Sequence, residues 1–394
     1  MTKTMRKTNL LTLLLILVIS GVTLNAGTRN QPAIRVTFVL TSPDLPDDTV
    51  VYITGGIEQL GMWNPGKVKM DARGNHTWTK EVQISGPMSI EYKYTLGSWE
   101  REGADAKGAP LQNLEARITQ STTVKDTILF WTKGGRQRVV RGQITGTVKY
   151  HGAMKGAGIR DRDVIVWLPP GYDVDTKKRY PVLYMHDGQN VFDPATSSFG
   201  VDWQIDETAD ELIKKKSIPP LIVVGIYNTS DRFSEYTPGE RGTAYVNFIV
   251  QTLKPFIDST YRTKRDRKNT IVGGSSAGGI ASFMIVWEHP DVFSKAICMS
   301  PAFKTPGSMT LNFDYVKVVS NSRKRDDVFF YIDNGGVGLE SQLQPGIDEM
   351  ISALKAKGYQ EKKDFVVVID TAAKHFEADW AKRFPNALTL ALHK

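Results

Sequence analysis

The segment Gly273-Gly274-Ser275-Ser276-Ala277-Gly278-Gly279 constrains this chain more than any other. The apolar run Thr270-Ile271-Val272 before it reads as a buried strand. Ile280 to Trp287 after it reads as a helix. Strand, sharp glycine-rich turn and helix is the setting in which a G-x-S-x-G pattern carries chemical meaning. In that register Gly274 and Gly278 flank Ser276. Small neighbours allow the strained turn that lifts the serine oxygen out of the sheet, and the following helix N-terminus favours negative charge beside it. The segment therefore points to a serine nucleophile. Its competing reading is a glycine-rich turn that binds a phosphate, or nothing.

A chain of 394 residues has room for two cores. Ile34 to Trp131 carries short apolar or alternating runs, among them Arg35–Leu40, Thr77–Val82 and Ser89–Thr95, separated by turn clusters such as Asn64-Pro65-Gly66. Strands at this spacing predict a small β-sandwich over 33–131. Residues 132–142 are polar, basic and glycine-containing and read as a linker. From 143 to 394 strands alternate with helices. Asp163–Leu168, Pro181–Met185, Leu221–Ile226, Ser294–Ser300, Asp327–Ile332 and Asp364–Ile369 read as strands, and Val201–Lys216, Ala244–Asp258 and Pro345–Lys357 as helices. Continuous Val/Ile runs are the mark of strands covered on both faces, so the second domain is expected to be a doubly wound, mostly parallel α/β fold.

Residues 1–26 combine a basic start (Lys3, Arg6, Lys7), an apolar run from Leu10 to Ile19 and a small residue at Ala26. This reads as a secretory signal peptide, and the run is short for a membrane span. The expected location is periplasmic or secreted. The single cysteine, Cys298, has no intrachain partner and reads as a buried apolar residue. The formal net charge is +8, but the basic runs are short and scattered, so no nucleic-acid partner is expected. No metal-binding or dinucleotide motif is present, so no cofactor and no metal are expected.

A serine nucleophile needs a base and an orienting acid, which follow it in the order Ser, acid, His on this type of sheet. His375 follows the last expected strand and precedes a helix, so it is the candidate base. His76, His151, His186, His289 and His393 lie elsewhere. The acid should follow the Val328–Ile332 strand. Glu340, reached after a glycine-rich loop, is preferred, with Asp333 as the alternative. Two backbone amides should form an oxyanion hole: Ala277, and Gly188 or Gln189 in the loop His186–Asn190. Arg232, Glu235 and Tyr236 read equally as pocket lining or as a surface salt-bridge cluster.

Four pieces carry a family resemblance: Tyr184–Phe192, Gly273–Gly279, His289–Phe293 leading to Ser300-Pro301, and His375-Phe376-Glu377-Ala378-Asp379-Trp380. Through them residues 143–394 resemble the esterase D-type esterases of the α/β-hydrolase superfamily, which include feruloyl, acetyl-xylan and enterochelin esterases. The resemblance implies Ser276 as nucleophile and His375 as base, and leaves the acid open between Glu340 and Asp333. Residues 33–118 resemble a starch-binding, family 20-type carbohydrate module through Gln59–Trp63, Glu91–Tyr94 and Ser98-Trp99-Glu100. That likeness implies Trp63 and Trp99 as an aromatic platform and Lys93 as a polar contact. The chain departs from the module's pattern at Asn113-Leu114, where Asn-Arg is common. The competing reading is a sandwich used as spacer or lid, with these tryptophans in its core.

The expectation is thus an exported serine esterase acting on a small-molecule or polysaccharide ester, with a glycan as possible partner. A siderophore or lactone esterase, and a glycan-binding protein with a vestigial hydrolase domain, are the alternatives.

Overall fold

The strand Ile34–Thr41 shows how the first domain is built. Its residues alternate between buried and more exposed positions, so one face can pack inward. It pairs antiparallel with Thr77–Ile84 and parallel with Thr122–Thr127. With Asp71–Gly74 these form one four-stranded sheet, and Val68–Lys69, Tyr52–Gly55, Met88–Thr95 and Leu114–Ile118 form the second. Val36, Phe38, Leu40, Trp78, Tyr92 and Tyr94 fill the space between the sheets. The expected β-sandwich is the fold of this segment. In the computed structural model the described residues are 33–99, 101–106, 108, 110–111, 113–132, 144–198, 200–304 and 313–394. The expected signal segment 1–26, Glu100 and nearly all of the expected linker 132–142 lie outside them.

The second domain is an eight-stranded sheet. Its strands are β1 (Thr147–Met154), β2 (Arg162–Leu168), β3 (Val182–His186), β4 (Ile222–Ile226), β5 (Thr270–Ser275), β6 (Lys295–Met299), β7 (Phe329–Gly335) and β8 (Phe365–Asp370). They lie in the order β1-β2-β4-β3-β5-β6-β7-β8. Strand β2 runs antiparallel to β1 and β4, and the rest are parallel. Strands β3 to β7 are buried along their whole length, as their unbroken apolar runs predict. The helix Ala277–Glu288 is apolar on all sides and buried from Ala277 to Trp287, which makes it the central helix. Phe283 stacks on Phe330 of β7 at 4.3 Å.

Two local expectations need correction. Strand β1 is an edge strand with mostly exposed residues, so it lacks the apolar run that betrays the others. The helix expected from Pro345 begins at Leu339 and runs to Ala356 with Pro345 inside it. Proline is usual only in a helix's first turn, and it misleads the sequence reading by about one and a half turns. Glu340 consequently stands in a helical first turn, not in a loop.

Candidate active site

Ser276 sits between β5 and the central helix with φ 57° and ψ −120°. Such a backbone costs about 1–3 kcal/mol and persists only where the surroundings hold it. Here its N–H donates to the Met299 carbonyl at the end of β6 (2.9 Å), and its own carbonyl accepts from the amides of Gly279 (3.0 Å) and Ala302 (3.2 Å). The glycines are set by close approach. A Cβ on Gly274 would stand 3.0 Å from the backbone of Gly278, and one on Gly279 would stand 3.0 Å from the Met299 carbonyl oxygen. Ser275 is the last residue of the strand, and only Ser276 has the elbow conformation. Ala277 opens the helix, so its N–H has no intrahelical acceptor. Ser276, Ala277 and His375 line one cavity.

His375 lies in the loop after β8, with its ring edge-on to Trp380 at 4.9 Å. Its Nδ1 is 3.6 Å from Glu340 Oε1, an ion-pair separation longer than a hydrogen bond. The loop before Glu340 and the loop that carries His375 are tied together, because the amides of Gly336 and Val337 both donate to the Ala373 carbonyl. Glu340 is fully buried and accepts a 2.7 Å bond from Ser300 Oγ. Burial alone would raise its carboxyl, but His375 and the Ser300 hydroxyl outweigh that and hold it below the usual glutamate range.

Asp333, the alternative acid, is bound otherwise. It accepts from Arg383 Nε (2.9 Å), the Ser300 amide (3.1 Å) and Tyr331 OH (3.3 Å). Burial pushes its pKa up to about 6 against the opposing pull of Arg383. Ser300 joins the two carboxylates. It adopts a left-handed backbone with φ 44° and also accepts from Trp380 Nε1 at 3.0 Å. Ser300 and Trp380 stand in the quoted sequence pieces, but nothing local to either assigns them this work, and Arg383 carries no sequence signal at all.

The loop after β3 approaches the elbow from the other side. His186 is buried and bonded through Nδ1 to Tyr245 OH at 2.7 Å, and burial holds its pKa down at about 3. It is a neutral packing residue, not a base. Asp187 takes a left-handed backbone and is clamped by Arg232 through Nε (2.7 Å) and a terminal nitrogen (2.6 Å). Asp187, Asn190 and Arg232 line the cavity, whereas Gly188 and Gln189, between the first two, do not. A Cβ on Gly188 would fall 2.3 Å from the Gly225 carbonyl carbon of β4, and the Gln189 side-chain oxygen accepts the Asn228 amide. Glu235 and Tyr236 are neither pocket lining nor a surface cluster. Both are buried, and Glu235 pairs with buried Arg162 at 2.7 Å.

Of the expected sugar contacts, Trp63 and Trp99 line the same cavity as Ser276. Lys93 does not reach it as a sugar contact. It is buried, ion-paired with Glu102, and its ammonium lies 5.9 Å from the Trp99 ring centroid. Glu377 faces the cavity from the hydrolase side. It is buried, within 3.4 Å of Asn190 Nδ2, and burial pushes its pKa up to about 8.

Among the described residues, Asp202, Asp206 and Glu207 are the one carboxylate group close enough to hold a metal ion. They surround the start of the helix Ile205–Lys214, away from the cavity lining. Burial and the neighbouring Glu207 push Asp206 up to about 8, the direction expected where two carboxylates crowd one site. No helix of the described residues is long and apolar enough to cross a membrane.

Comparison with known proteins agrees with the two-domain fold. The sequence model of the Esterase family matches residues 158–390, and that of the starch binding domain matches residues 33–126. An endo-1,4-beta-xylanase/feruloyl esterase of Xylanibacter ruminicola is 27% identical over 200 residues, which are 50% of this chain and 25% of that protein. The ferri-bacillibactin esterase of Bacillus subtilis is 29% identical over 147 residues, 31% of this chain and 48% of that one. The chain thus spans between a quarter and about half of the length of these curated relatives. The solved enterobactin esterase of Shigella flexneri superposes with a TM-score of 0.54 at 13% identity, covering 92% of this chain and 94% of that one. At that identity the likeness is one of fold, and it extends through both domains.

Proposed function

We propose, on the premise that this chain belongs to the Esterase family, that it is a carboxylic ester hydrolase with Ser276 as nucleophile, His375 as general base and Glu340 as the orienting acid. The observation that carries this reading is the distribution of partners over the two candidate acids. Glu340 faces His375 Nδ1 at 3.6 Å, while Asp333 is occupied by Arg383 and Ser300. A carboxylate beside Nδ1 keeps the proton there, so Nε2 is the basic nitrogen that serves the serine.

Ser276 Oγ attacks the ester carbonyl while His375 takes its proton. The negative oxygen that develops is held by the Ala277 amide, aided by the helix N-terminus. A second donor at Gly188 or Gln189 requires that loop to open toward the cavity, which neither residue lines. Collapse breaks the bond to the alcohol oxygen, which leaves with the proton from His375. Water, deprotonated by the same imidazole, then splits the acyl-serine and releases the carboxylic acid. Asp187, clamped by Arg232, fixes the position of that loop.

The finer reading is an exported enzyme acting on acyl groups carried by carbohydrate. It draws on the matched starch binding domain, the basic and apolar N-terminal segment and the feruloyl esterase relative. The superposition through both domains on an enterobactin esterase favours a second reading, cleavage of siderophore lactones. A panel of feruloyl, acetyl and catecholate esters separates the two. On p-nitrophenyl acetate, Ser276→Ala should lose activity by several orders of magnitude. Unchanged turnover in that variant sinks the hydrolase reading and leaves a glycan-binding protein with an idle second domain.

A further inference from the structure

The cavity above Ser276 is walled by both domains. The hydrolase domain contributes an apolar wall of Phe233, Ala302, Phe313, Leu339 and Leu343, with polar Asn228, Thr229, Arg232 and Glu377 beside it. The sandwich contributes Trp63, Trp99, Glu91, Asn113 and Glu115. An indole face flanked by carboxylates and an amide suits a sugar ring, whose C–H face stacks while its hydroxyls donate. The two carboxylates stand opposite each other in the strand pairing Glu91↔Glu115. Asn113 donates to Glu91 Oε2 at 3.0 Å, and its own carbonyl oxygen is buried with no partner.

This second wall is built in advance. Trp63 has φ 61°, held by a 2.9 Å bond from its N–H to the Gly55 carbonyl. Its indole lies against Gly56, where a Cβ would be 3.4 Å from Nε1. A module that merely tethers an enzyme to a polymer has its aromatic face turned to solvent and away from the chemistry. Here the two tryptophans line the same cavity as Ser276.

We propose that the sandwich supplies the leaving-group subsite of the esterase: Trp63 and Trp99 hold the sugar that bears the ester, and the apolar wall takes the acyl group. This rests on the ester-hydrolase reading and assigns the substrate as a glycosyl ester. The two tryptophans then set specificity without touching the reacting carbonyl. They matter for an ester of a sugar and not for a methyl ester of the same acid.

The test measures kcat and KM of the full chain on methyl ferulate and on ferulate esterified to an arabino-oligosaccharide. It is repeated with the acetyl pair, methyl acetate and an acetylated xylo-oligosaccharide. Removing an aromatic stacking partner costs about tenfold or more per site, from the ~1–3 kcal/mol typical of ring stacking on indole-like surfaces. Trp63→Ala and Trp99→Ala should each raise KM for the sugar ester about tenfold more than KM for the methyl ester of the same acid. Thermal unfolding of each variant is the folding control. Equal losses on both esters, or no loss on the sugar ester, overturn the proposal while the hydrolase reading stands. If wild type cleaves neither pair, the proposal falls, while turnover of p-nitrophenyl acetate or a catecholate ester keeps the hydrolase reading.

Discussion

Replacing Glu340 by glutamine tests the assignment of the acid more sharply than any other change. One oxygen of the carboxylate, Oε1, meets Ser300 Oγ at 2.7 Å, His375 Nδ1 at 3.6 Å and Arg383 at 4.0 Å. Glutamine keeps the shape but removes the charge that orients the imidazole and stabilises its protonated form. Where its amide nitrogen takes the Oε1 position, it donates to Nδ1, gives up the Ser300 bond and holds the imidazole proton on Nε2. In that tautomer the ring cannot accept the serine proton. The comparable isosteric change in a serine protease triad lowers kcat by about 10⁴. With the longer contact here we expect about 10³–10⁴, or roughly 4–5.5 kcal/mol of barrier, in kcat with little change in KM. Asp333→Asn should behave in the opposite way. It leaves the Arg383 guanidinium buried beside a neutral amide, which costs about 3–5 kcal/mol of stability, yet kcat of the folded fraction should stay within about tenfold. Steady-state kinetics on p-nitrophenyl acetate and urea unfolding of the same two variants give all four numbers. A loss of 10³ in kcat for Asp333→Asn together with less than tenfold for Glu340→Gln would refute the assignment.

Two further outcomes follow from geometry already described. Glu377 has its folded pKa raised from 4.5 to about 8, so its contribution to stability is full below pH 4.5 and is lost as the pH rises through about 8. Glu377→Gln should therefore flatten the decline of urea midpoint between pH 5 and 8 relative to wild type; parallel curves would show that the group is ionised in the fold. Gly279→Ala places a methyl 3.0 Å from the Met299 carbonyl oxygen and 3.1 Å from the Pro301 Cα, both backbone atoms. It should lower the melting temperature and abolish turnover together, by more than the few tenths of a kcal/mol that an open helical site would register.

Strands were legible wherever burial is two-sided. The runs at Leu221–Ile226 and Ser294–Ser300 could be little else, and the elbow at Ser276 was readable because three glycines stand where a Cβ has no room. Legibility failed where tertiary contacts decide. Lys93 stands between Tyr92 and Tyr94 on its strand, and the family resemblance alone makes it a sugar contact. In the fold Glu102 buries it, and Glu102 is nine residues away on another segment. The sequence reading joined Glu340 to His375 by chain order alone. It could not exclude Asp333, because the residue that occupies Asp333, Arg383, lies 50 positions downstream. Nor does any local pattern around Trp63 say what lies across from it. That is a property of how the two domains meet.

The backbone of Ser276 is threaded into its neighbours. Its amide is spent on Met299 at the end of one strand, and its carbonyl on Ala302 in the segment beyond. The nucleophile cannot fray on its own, since releasing it means parting β5 from β6 in the middle of the sheet. Such opening belongs to the most protected class of fluctuation, near the global unfolding energy. Loss of turnover on heating or in denaturant should thus coincide with loss of the whole sheet. For this molecule, catalysis is a reporter of folding cooperativity.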